Sequence, residues 1–312
     1  MHPLHLPLLR ILLVVLCVLA TASDSHAEKR IGIIMTGVIP YYEAIHKAFI
    51  AELNRRFAGA EEIGIILQKP FPNPISWSNA ARKLIAHDVD LIVTYGSPAT
   101  RAAINEKSRI PVVYAGLYAP EHAGVDAKNV TGCGFRVPLS SILRYFKRIK
   151  TVNTLGIIYS SVEEDSVRQA QKMRSLTAQQ NIKTEVINIR SHADLDKLMT
   201  TKSDVVFITG SSLANLWLND ILSILRKRKV PVAGIFPDDT EAGMLMTLYQ
   251  PSHTQGEMAA EMAQRILLGA KPADITAHTN RDTELVLNLI EAKHLDINFP
   301  VQLLIEATKV IE

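Results

Sequence analysis

The chain has 312 residues but only two cysteines, Cys17 and Cys133, and a net charge at pH 7 of only +3. Cys17 lies in an N-terminal apolar run that we expect to be removed, so one cysteine would remain and no internal disulfide could form. Cys133 stands between two glycines and is typical of a small buried apolar residue. The small net charge, spread along the chain, argues against a nucleic-acid-binding protein.

Motifs for nucleotide, metal and covalent chemistry are also missing. No Gly-x-Gly-x-x-Gly follows a predicted strand, and no glycine-rich loop ends in Lys-Ser or Lys-Thr. The ten histidines show no paired metal spacing. Ser97 has no Gly-x-Ser-x-Gly turn around it, and the acids of residues 163–165 are typical of a first helical turn. The sequence therefore predicts neither an enzyme nor a cofactor or metal site.

The first 27 residues have the layout of an export signal. Arg10 precedes an unbroken apolar run over residues 11–20, and Ser25 and Ala27 place small residues at −3 and −1 before Glu28. The run is short for a membrane span, although a retained anchor is the alternative. The residues before Cys17 are too large for a lipoprotein signal. We therefore expect residues 1–27 to be cleaved and the mature protein to lie in the periplasm.

The stretch DLIVTYGSPATRA, residues 90–102, shows a unit that recurs along the chain. A short run rich in β-branched residues, a turn at residues 96–98 and alanines at helical spacing predict a strand, a turn and a helix. The series begins again near Thr154, and such alternation predicts parallel sheets covered by helices on both faces. We predict two similar α/β lobes joined by several crossing segments. A ligand cleft would lie between them, because strand ends of open α/β sheets face a crevice.

Several segments together resemble one known family. In chain order they are GSPATRA, IPVVYAG, NVTG, LGIIYSSVEEDS, and EMAAEMAQRILLGAKPADI followed by LVLNLIEAKHLDINFP. Their order and spacing resemble the ABC-transporter substrate-binding proteins of the tryptophan/tyrosine-binding type, which have the type 1 periplasmic-binding fold. The resemblance covers about residues 30–312. It implies a hinged monomer of two Rossmann-like lobes that captures a small molecule and passes it to an ABC permease in the inner membrane.

With this resemblance we divide the chain into a signal peptide and two lobes. The signal peptide is residues 1–27, lobe 1 is residues 28–137 plus about 248–280, and lobe 2 is residues 138–247 plus about 281–312. A sensor that docks on a membrane receptor or kinase would use the same cleft, and it is the alternative to a transport protein.

The resemblance places ligand contacts at strand ends in both lobes. In the first lobe they are Thr36, Gly37, Tyr41, Gly96, Ser97, Pro98 and Ala99. In the second lobe they are Tyr159, Ser160, Glu163 and Ser166. Turn amides and hydroxyls at such positions can hold a polar group. We expect Tyr118 and Phe236 to add apolar walls.

Three positions depart from the family pattern. Ala119, Ser211 and Phe236 stand at strand ends where relatives carry acids, which are natural partners of an ammonium group. Asp238 or Asp239 would take this role if the alignment shifts by two or three residues. We include Ser211, Phe236 and Asp238 among the candidate ligand contacts. The missing acids predict a small aromatic or heterocyclic ligand that is mostly neutral or anionic, and poor binding of the common aromatic amino acids.

Overall fold

The computed structural model describes residues 29–58, 63–236 and 243–312. The predicted signal peptide and its cleavage site lie outside the described residues, and so does Asp238. Within the described ranges, no helix has both the length and the apolar character needed to cross a membrane.

Six strands form the first sheet. They are β1 (Arg30–Met35), β2 (Gly64–Gln68), β3 (Leu91–Tyr95), β4 (Val112–Tyr118), β5 (Val130–Phe135) and β11 (His278–Asn280). Their order is β11-β5-β4-β3-β1-β2, and every neighbouring pair is parallel. The helices packed on this sheet are α1 (Pro40–Arg56), α2 (Pro74–Ala86), α3 (Ser97–Asn105) and α8 (Ser252–Leu267). All residues of β3 are buried because helices cover both faces, which explains its continuous apolar run.

Seven strands form the second sheet. They are β6 (Thr154–Tyr159), β7 (Lys183–Asn188), β8 (Val205–Ile208), β9 (Val232–Gly234), β10 (Met246–Tyr249), β12 (Glu284–Asn288) and β13 (Lys309–Ile311). Their order is β13-β12-β10-β9-β8-β6-β7. The remaining helices are α4 (Leu139–Ile149), α5 (Glu164–Ala178), α6 (Ser212–Leu216), α7 (Leu218–Lys227), α9 (Leu289–His294) and α10 (Val301–Glu306). The predicted two-lobed α/β fold is confirmed.

The prediction of parallel sheets is wrong at one strand. β12 runs antiparallel to β10, whereas every other neighbouring pair is parallel. The chain reaches β12 directly from β11 in the first sheet, without a helical crossover within the second sheet. The rule that makes βαβ neighbours parallel therefore does not apply to this strand.

Two local features differ from what the sequence pattern predicts. The apolar spacing over residues 214–229 predicts one helix, but the helix is interrupted at Trp217, whose φ and ψ are −115° and 25°. The ring of Trp217 contacts the ring of His192 edge-on, with centroids 6.0 Å apart. β11 was missed because its three residues, His-Thr-Asn, form a polar edge strand without an apolar run.

The chain passes between the two sheets three times, at residues 136–138, 250–251 and 281–283. We propose these crossings as the lobe boundaries and as the hinge. The boundary expected at about residue 248 then lies at 250–251, because β10 pairs within the second sheet up to Tyr249.

Helices α8 and α1 pack closely through Gly256. A Cβ atom at Gly256 would overlap the carbonyl oxygen of Ile45 and lie 2.7 Å from the amide nitrogen of Phe49. Alanine favours a helix over glycine by about 1 kcal/mol. We nevertheless expect Gly256→Ala to lower the free energy of unfolding by about 1–3 kcal/mol, because the backbones must separate. Urea denaturation measures this change.

The matched control is Glu257→Ala, which changes the next residue on the exposed side of the same helix. It should leave the urea midpoint almost unchanged. An unchanged midpoint for Gly256→Ala as well would show that the two helices separate without cost.

Candidate functional site

In the first lobe, the ends of β1 and β3 meet at the switch point of the sheet, where β1 has β3 on one side and β2 on the other. The hydroxyl of Thr36 accepts a hydrogen bond from the amide of Ala99 at 3.2 Å. The carbonyl oxygen of Thr36 accepts one from Trp77 Nε1 at 2.7 Å. Gly96 has a φ of 88°, and a Cβ atom there would overlap the hydroxyl of Tyr42. The turn at Gly96 therefore depends on glycine.

The second lobe repeats this arrangement at the ends of β6 and β8. The hydroxyl of Ser166 accepts a hydrogen bond from the amide of Ser160 at 2.9 Å and lies 2.6 Å from Thr209 Oγ1. The amide of Gly210 donates to Gln169 Oε1 at 2.6 Å. Ser166, a predicted ligand contact, is thus buried with its hydroxyl bonded inside the lobe. It positions the turn that carries Ser160.

The two lobes are in contact through an aromatic cluster. The rings of Tyr41 and Phe236 are stacked, with centroids 4.7 Å apart and planes 15° from parallel. Tyr42 meets Phe236 edge-on at 5.8 Å. Gly37 lies against the second lobe, since a Cβ atom there would be 2.6 Å from the Cβ of Ser212. These residues form a largely apolar contact to which both lobes contribute.

Polar contacts also link the lobes. Arg101 on α3 forms an ion pair with Glu164 on α5, with 3.0 Å between Nε and Oε2. Arg168 on α5 donates from Nη2 to the carbonyl oxygen of Tyr118 at 3.3 Å. The carboxyl group of Asp165 lies close to Ser97 at the start of α3, and this residue acts to lower its pKa against the effect of burial. Helix α5 therefore contacts the ends of both β3 and β4.

Two buried acids follow β6. Glu163 is only 1% exposed, and burial raises its pKa to about 7. Glu163 Oε1 accepts a hydrogen bond from the amide of Leu213 at 3.1 Å, whereas Oε2 has no hydrogen-bond partner among the described residues. Burial also raises the pKa of Asp165 to about 6, although its ion pair with Arg168 acts in the opposite direction.

Further polar atoms where the lobes meet and at the hinge are buried without a hydrogen-bond partner in the part of the chain that the structure describes. Among them are Tyr41 Oη, Ser160 Oγ and Gln250 Nε2. Most buried polar atoms in proteins are hydrogen-bonded, so such groups mark a place where a polar ligand would be favourable. With Glu163 Oε2 they supply donors and an acceptor beside the aromatic cluster.

The structure brings most of the predicted site residues together. Those at the cleft are Thr36, Gly37, Tyr41, Gly96, Ser97, Ser160, Glu163 and Phe236. The others have more local roles: Pro98 and Ala99 lie in the first turn of α3, Ser211 caps α6, and Tyr159 packs on the core. The Tyr118 backbone contacts Arg168.

The sequence analysis missed Tyr42, Asp165 and Ser212. Tyr42 follows Tyr41, and an adjacent aromatic pair at a helix start was an available signal. The sequence analysis interpreted Asp165 only as an acid that complements the helix dipole in a first turn. Ser212 has no distinctive pattern and becomes visible only through its contact with the other lobe.

The structure supports the view of Cys133 as a buried small residue. Cys133 is 1% exposed, and burial raises its thiol pKa to about 12, so it is protonated at neutral pH. No group of three or more His, Cys, Asp or Glu that could hold a metal ion occurs among the residues with described positions.

Comparisons with known proteins agree with this architecture. The family described as ABC transporter substrate binding protein matches residues 68–311. The chain is 22% identical to the tyrosine-binding protein of Clostridioides difficile (strain R20291) over an alignment of 286 residues, and the match covers 88% of this chain and 83% of that protein.

Two solved structures are similar to different degrees. The ABC domain from Streptococcus pneumoniae in complex with L-Trp has a TM-score of 0.85 at 23% identity, covering 91% of this chain and 100% of that chain. The ligand-free, open structure of a substrate-binding protein with adhesive properties from Clostridium difficile has a TM-score of 0.63 at 23% identity. That match covers 91% of this chain and 99% of that chain. With a family match over most of its length and two α/β lobes around a cleft, the chain belongs to the ABC transporter substrate-binding proteins, a family of solute-binding proteins and not of enzymes.

Proposed function

We propose that this protein captures a small aromatic molecule with an ammonium group in the cleft between its lobes. We also propose that it acts in the periplasm and delivers this ligand to an ABC permease. The observation that carries the ligand class is Glu163, a buried carboxylate beside an aromatic cluster.

Glu163 is suited to pair with a ligand cation. A carboxylate isolated from water is costly unless it is paired, and its Oε2 has no hydrogen-bond partner among the described residues. Burial raises the pKa of Tyr42, and the charges of Asp165 and Glu163 raise it further because both acids lie close to this ring. A ligand with an ammonium group next to a flat ring would meet both features at once.

This proposal differs from the expectation of a neutral or anionic ligand. That expectation depended on the residues Ala119, Ser211 and Phe236, which replace acids at three strand ends. Glu163, a candidate contact at a fourth strand end, is a buried acid close to Tyr42 of the other lobe, and this supports a ligand with a cationic group. The L-Trp complex and the tyrosine-binding relative support an aromatic amino acid as the first ligand to test.

A panel of indole compounds separates the two ligand classes. We expect L-tryptophan and tryptamine, which carry an ammonium group, to bind in isothermal titration calorimetry. Indole-3-propionate, which lacks it, should bind much more weakly. Glu163→Gln should lower the affinity for L-tryptophan at least about 30-fold, because losing one partner of a buried charge pair costs about 2–5 kcal/mol.

The control variant is Glu185→Gln in the same lobe. Glu185 accepts hydrogen bonds from Thr201 and Ser203 at 2.7 Å and lies away from the cleft. The Glu185→Gln variant should bind L-tryptophan like the wild type. Stronger binding of indole-3-propionate than of tryptamine would contradict the proposal and favour an anionic ligand.

The raised pKa of Glu163 also makes the stability of the ligand-free protein depend on pH. Between its ordinary pKa of 4.5 and about 7, the folded state binds more protons at this residue than the unfolded state. Glu163 therefore does not destabilise the fold at low pH. As the pH rises through that window, it lowers the free energy of unfolding by up to about 3 kcal/mol. Glu163→Gln should remove this slope. Urea denaturation midpoints of both proteins from pH 5 to pH 8 measure this slope, as the difference between the wild type and the variant.

Burial raises the pKa of Asp165 in both proteins, so that part of its contribution cancels in this comparison. The repulsion between Asp165 and Glu163 is lost in the variant, and this adds to the difference in the same direction. Parallel pH profiles for wild type and Glu163→Gln would contradict the account of Glu163 as a buried acid.

Ligand binding should move the lobes together, since the candidate contacts come from both. Small-angle scattering should show a smaller radius of gyration with saturating L-tryptophan. Arg101→Gln removes the exposed ion pair to Glu164 across the cleft and should weaken binding by up to about fivefold. Arg82→Gln removes a similar pair to Glu106 within the first lobe and should have no effect. An unchanged radius at saturation would count against lobe closure.

A further inference from the structure

Helix α5 of the second lobe reaches the first lobe through Arg168, which lies one turn into the helix and contacts the end of β4. We propose that Arg168 is a latch between the lobes, a positioning residue that favours the closed arrangement by binding the end of β4 and by neutralising the acid Asp165. This inference rests on the proposed function, because it concerns closure of the same cleft, but its first test needs no ligand.

Arg168 joins the lobes through one terminal nitrogen. Its Nη2 donates to the carbonyl oxygen of Tyr118 at 3.3 Å and also pairs with the carboxylate of Asp165, three residues earlier on α5. Tyr118 is the last residue of β4 in the first sheet. Hydrogen bonds from a charged donor are stronger than those between neutral groups. When the lobes separate, the bond to Tyr118 is lost, whereas Asp165 and Arg168 stay on one helix. The contact therefore favours the closed arrangement over the open one.

Asp165 is the reason why closure needs a cation at this place. It is 5% exposed and lies close to Ser97 at the start of α3 and to the ring of Tyr42 on α1. A buried carboxylate is costly unless a cation compensates it, and Glu163 adds a second acid nearby. Arg168 forms the ion pair with Asp165. Closing the lobes without Arg168 would bury the charge of Asp165 uncompensated.

The latch is better shielded from water than the other ion pair described between the lobes. The side chains of Arg168 and Asp165 are 22% and 7% exposed, against 37% and 47% for Arg101 and Glu164. Exposed pairs contribute little, whereas losing one partner of a buried pair is costly. We therefore expect Arg168 to contribute more to closure than Arg101.

A direct contact with the ligand is the other role that Arg168 could have. Arg168 lines a cavity of about 510 Å³ at the lobe boundary, and its Nε is buried without a hydrogen-bond partner among the described residues. A guanidinium group can bind a carboxylate through two parallel N–H groups. The two roles affect different ligands. A latch acts on every ligand that needs closure, whereas a direct contact acts only on ligands that carry a carboxylate.

Pulsed electron paramagnetic resonance between spin labels in the two lobes measures closure of the ligand-free protein. The labels are placed at Asn79→Cys on α2 and Asn219→Cys on α7, which are exposed positions, while Cys133 is buried and should stay unlabelled. We expect a closed population at pH 7. Arg168→Gln should lower the ratio of closed to open molecules at least about fivefold, because a charged hydrogen bond is lost. Arg168→Lys keeps the charge and should lower this ratio less.

The pH dependence of the same distances tests the role of Asp165. Burial raises the pKa of Asp165 to about 6 beside Arg168, and without Arg168 it should rise further. The closed arrangement then binds more protons than the open one, so the closed fraction of Arg168→Gln should increase as the pH falls from 8 to 5. Arg168→Gln/Asp165→Asn should show a smaller dependence on pH. The other titratable or charged groups around Asp165 are the same in both variants, and they are Tyr42, Arg101, Tyr118, Arg136, Glu163 and Glu164.

The matched control is Lys197→Gln, which removes the partner of Asp194, also three residues earlier and within the second lobe. Its label distances should equal those of the wild type. In calorimetry, Arg168→Gln should weaken the binding of L-tryptophan and of tryptamine by the same factor. Unchanged label distances in Arg168→Gln, an equal shift in Lys197→Gln, or a loss of affinity confined to L-tryptophan would overturn the latch. Failure of both ligands to bind the wild type would contradict the proposed function, while the ligand-free distances would still decide the latch.

Discussion

The cleft depends on hydrogen bonds that tie neighbouring strand ends together. In the first lobe, the Thr36 hydroxyl accepts from the amide of Ala99, so the ends of β1 and β3 are held in one position. In the second lobe, Ser166 and Thr209 do the same for β6 and β8. Thr36 accepts from an amide in the first turn of α3, where helical amides lack partners, and Ser166 accepts from the amide of Ser160 after β6. The turns between the lobes are therefore ordered before any ligand contacts them.

Around this frame, each lobe contributes groups that are unfavourable in its own interior. Glu163 is buried with a raised pKa, and Tyr41 Oη has no hydrogen-bond partner among the described residues. A sequence selected for stability alone would place apolar residues at such positions. Conflicts of this kind are typical of functional sites, where the missing partner belongs to another molecule. The cost in stability is then recovered when the ligand binds.

The charges at the lobe boundary are separated by sign. Glu163 and Asp165 are buried where the lobes meet, whereas Lys172 and Arg281 are exposed near the crossing segments. Asp165 and Arg168 pair between them. The sign of the local charge therefore changes across this pair.

The sequence by itself determined the fold class and the strand ends that carry the site. Apolar runs followed by turn residues, as at Leu91–Tyr95 and Gly96, identify these elements because they depend on local periodicity and backbone conformation. Tertiary structure decided which ends meet. The stack of Tyr41 on Phe236 joins residues 195 positions apart, and the antiparallel β12 follows from a crossing between lobes. Tertiary structure also decided that Glu163 is buried, since an exposed acid at a helix start and a buried one have the same local sequence.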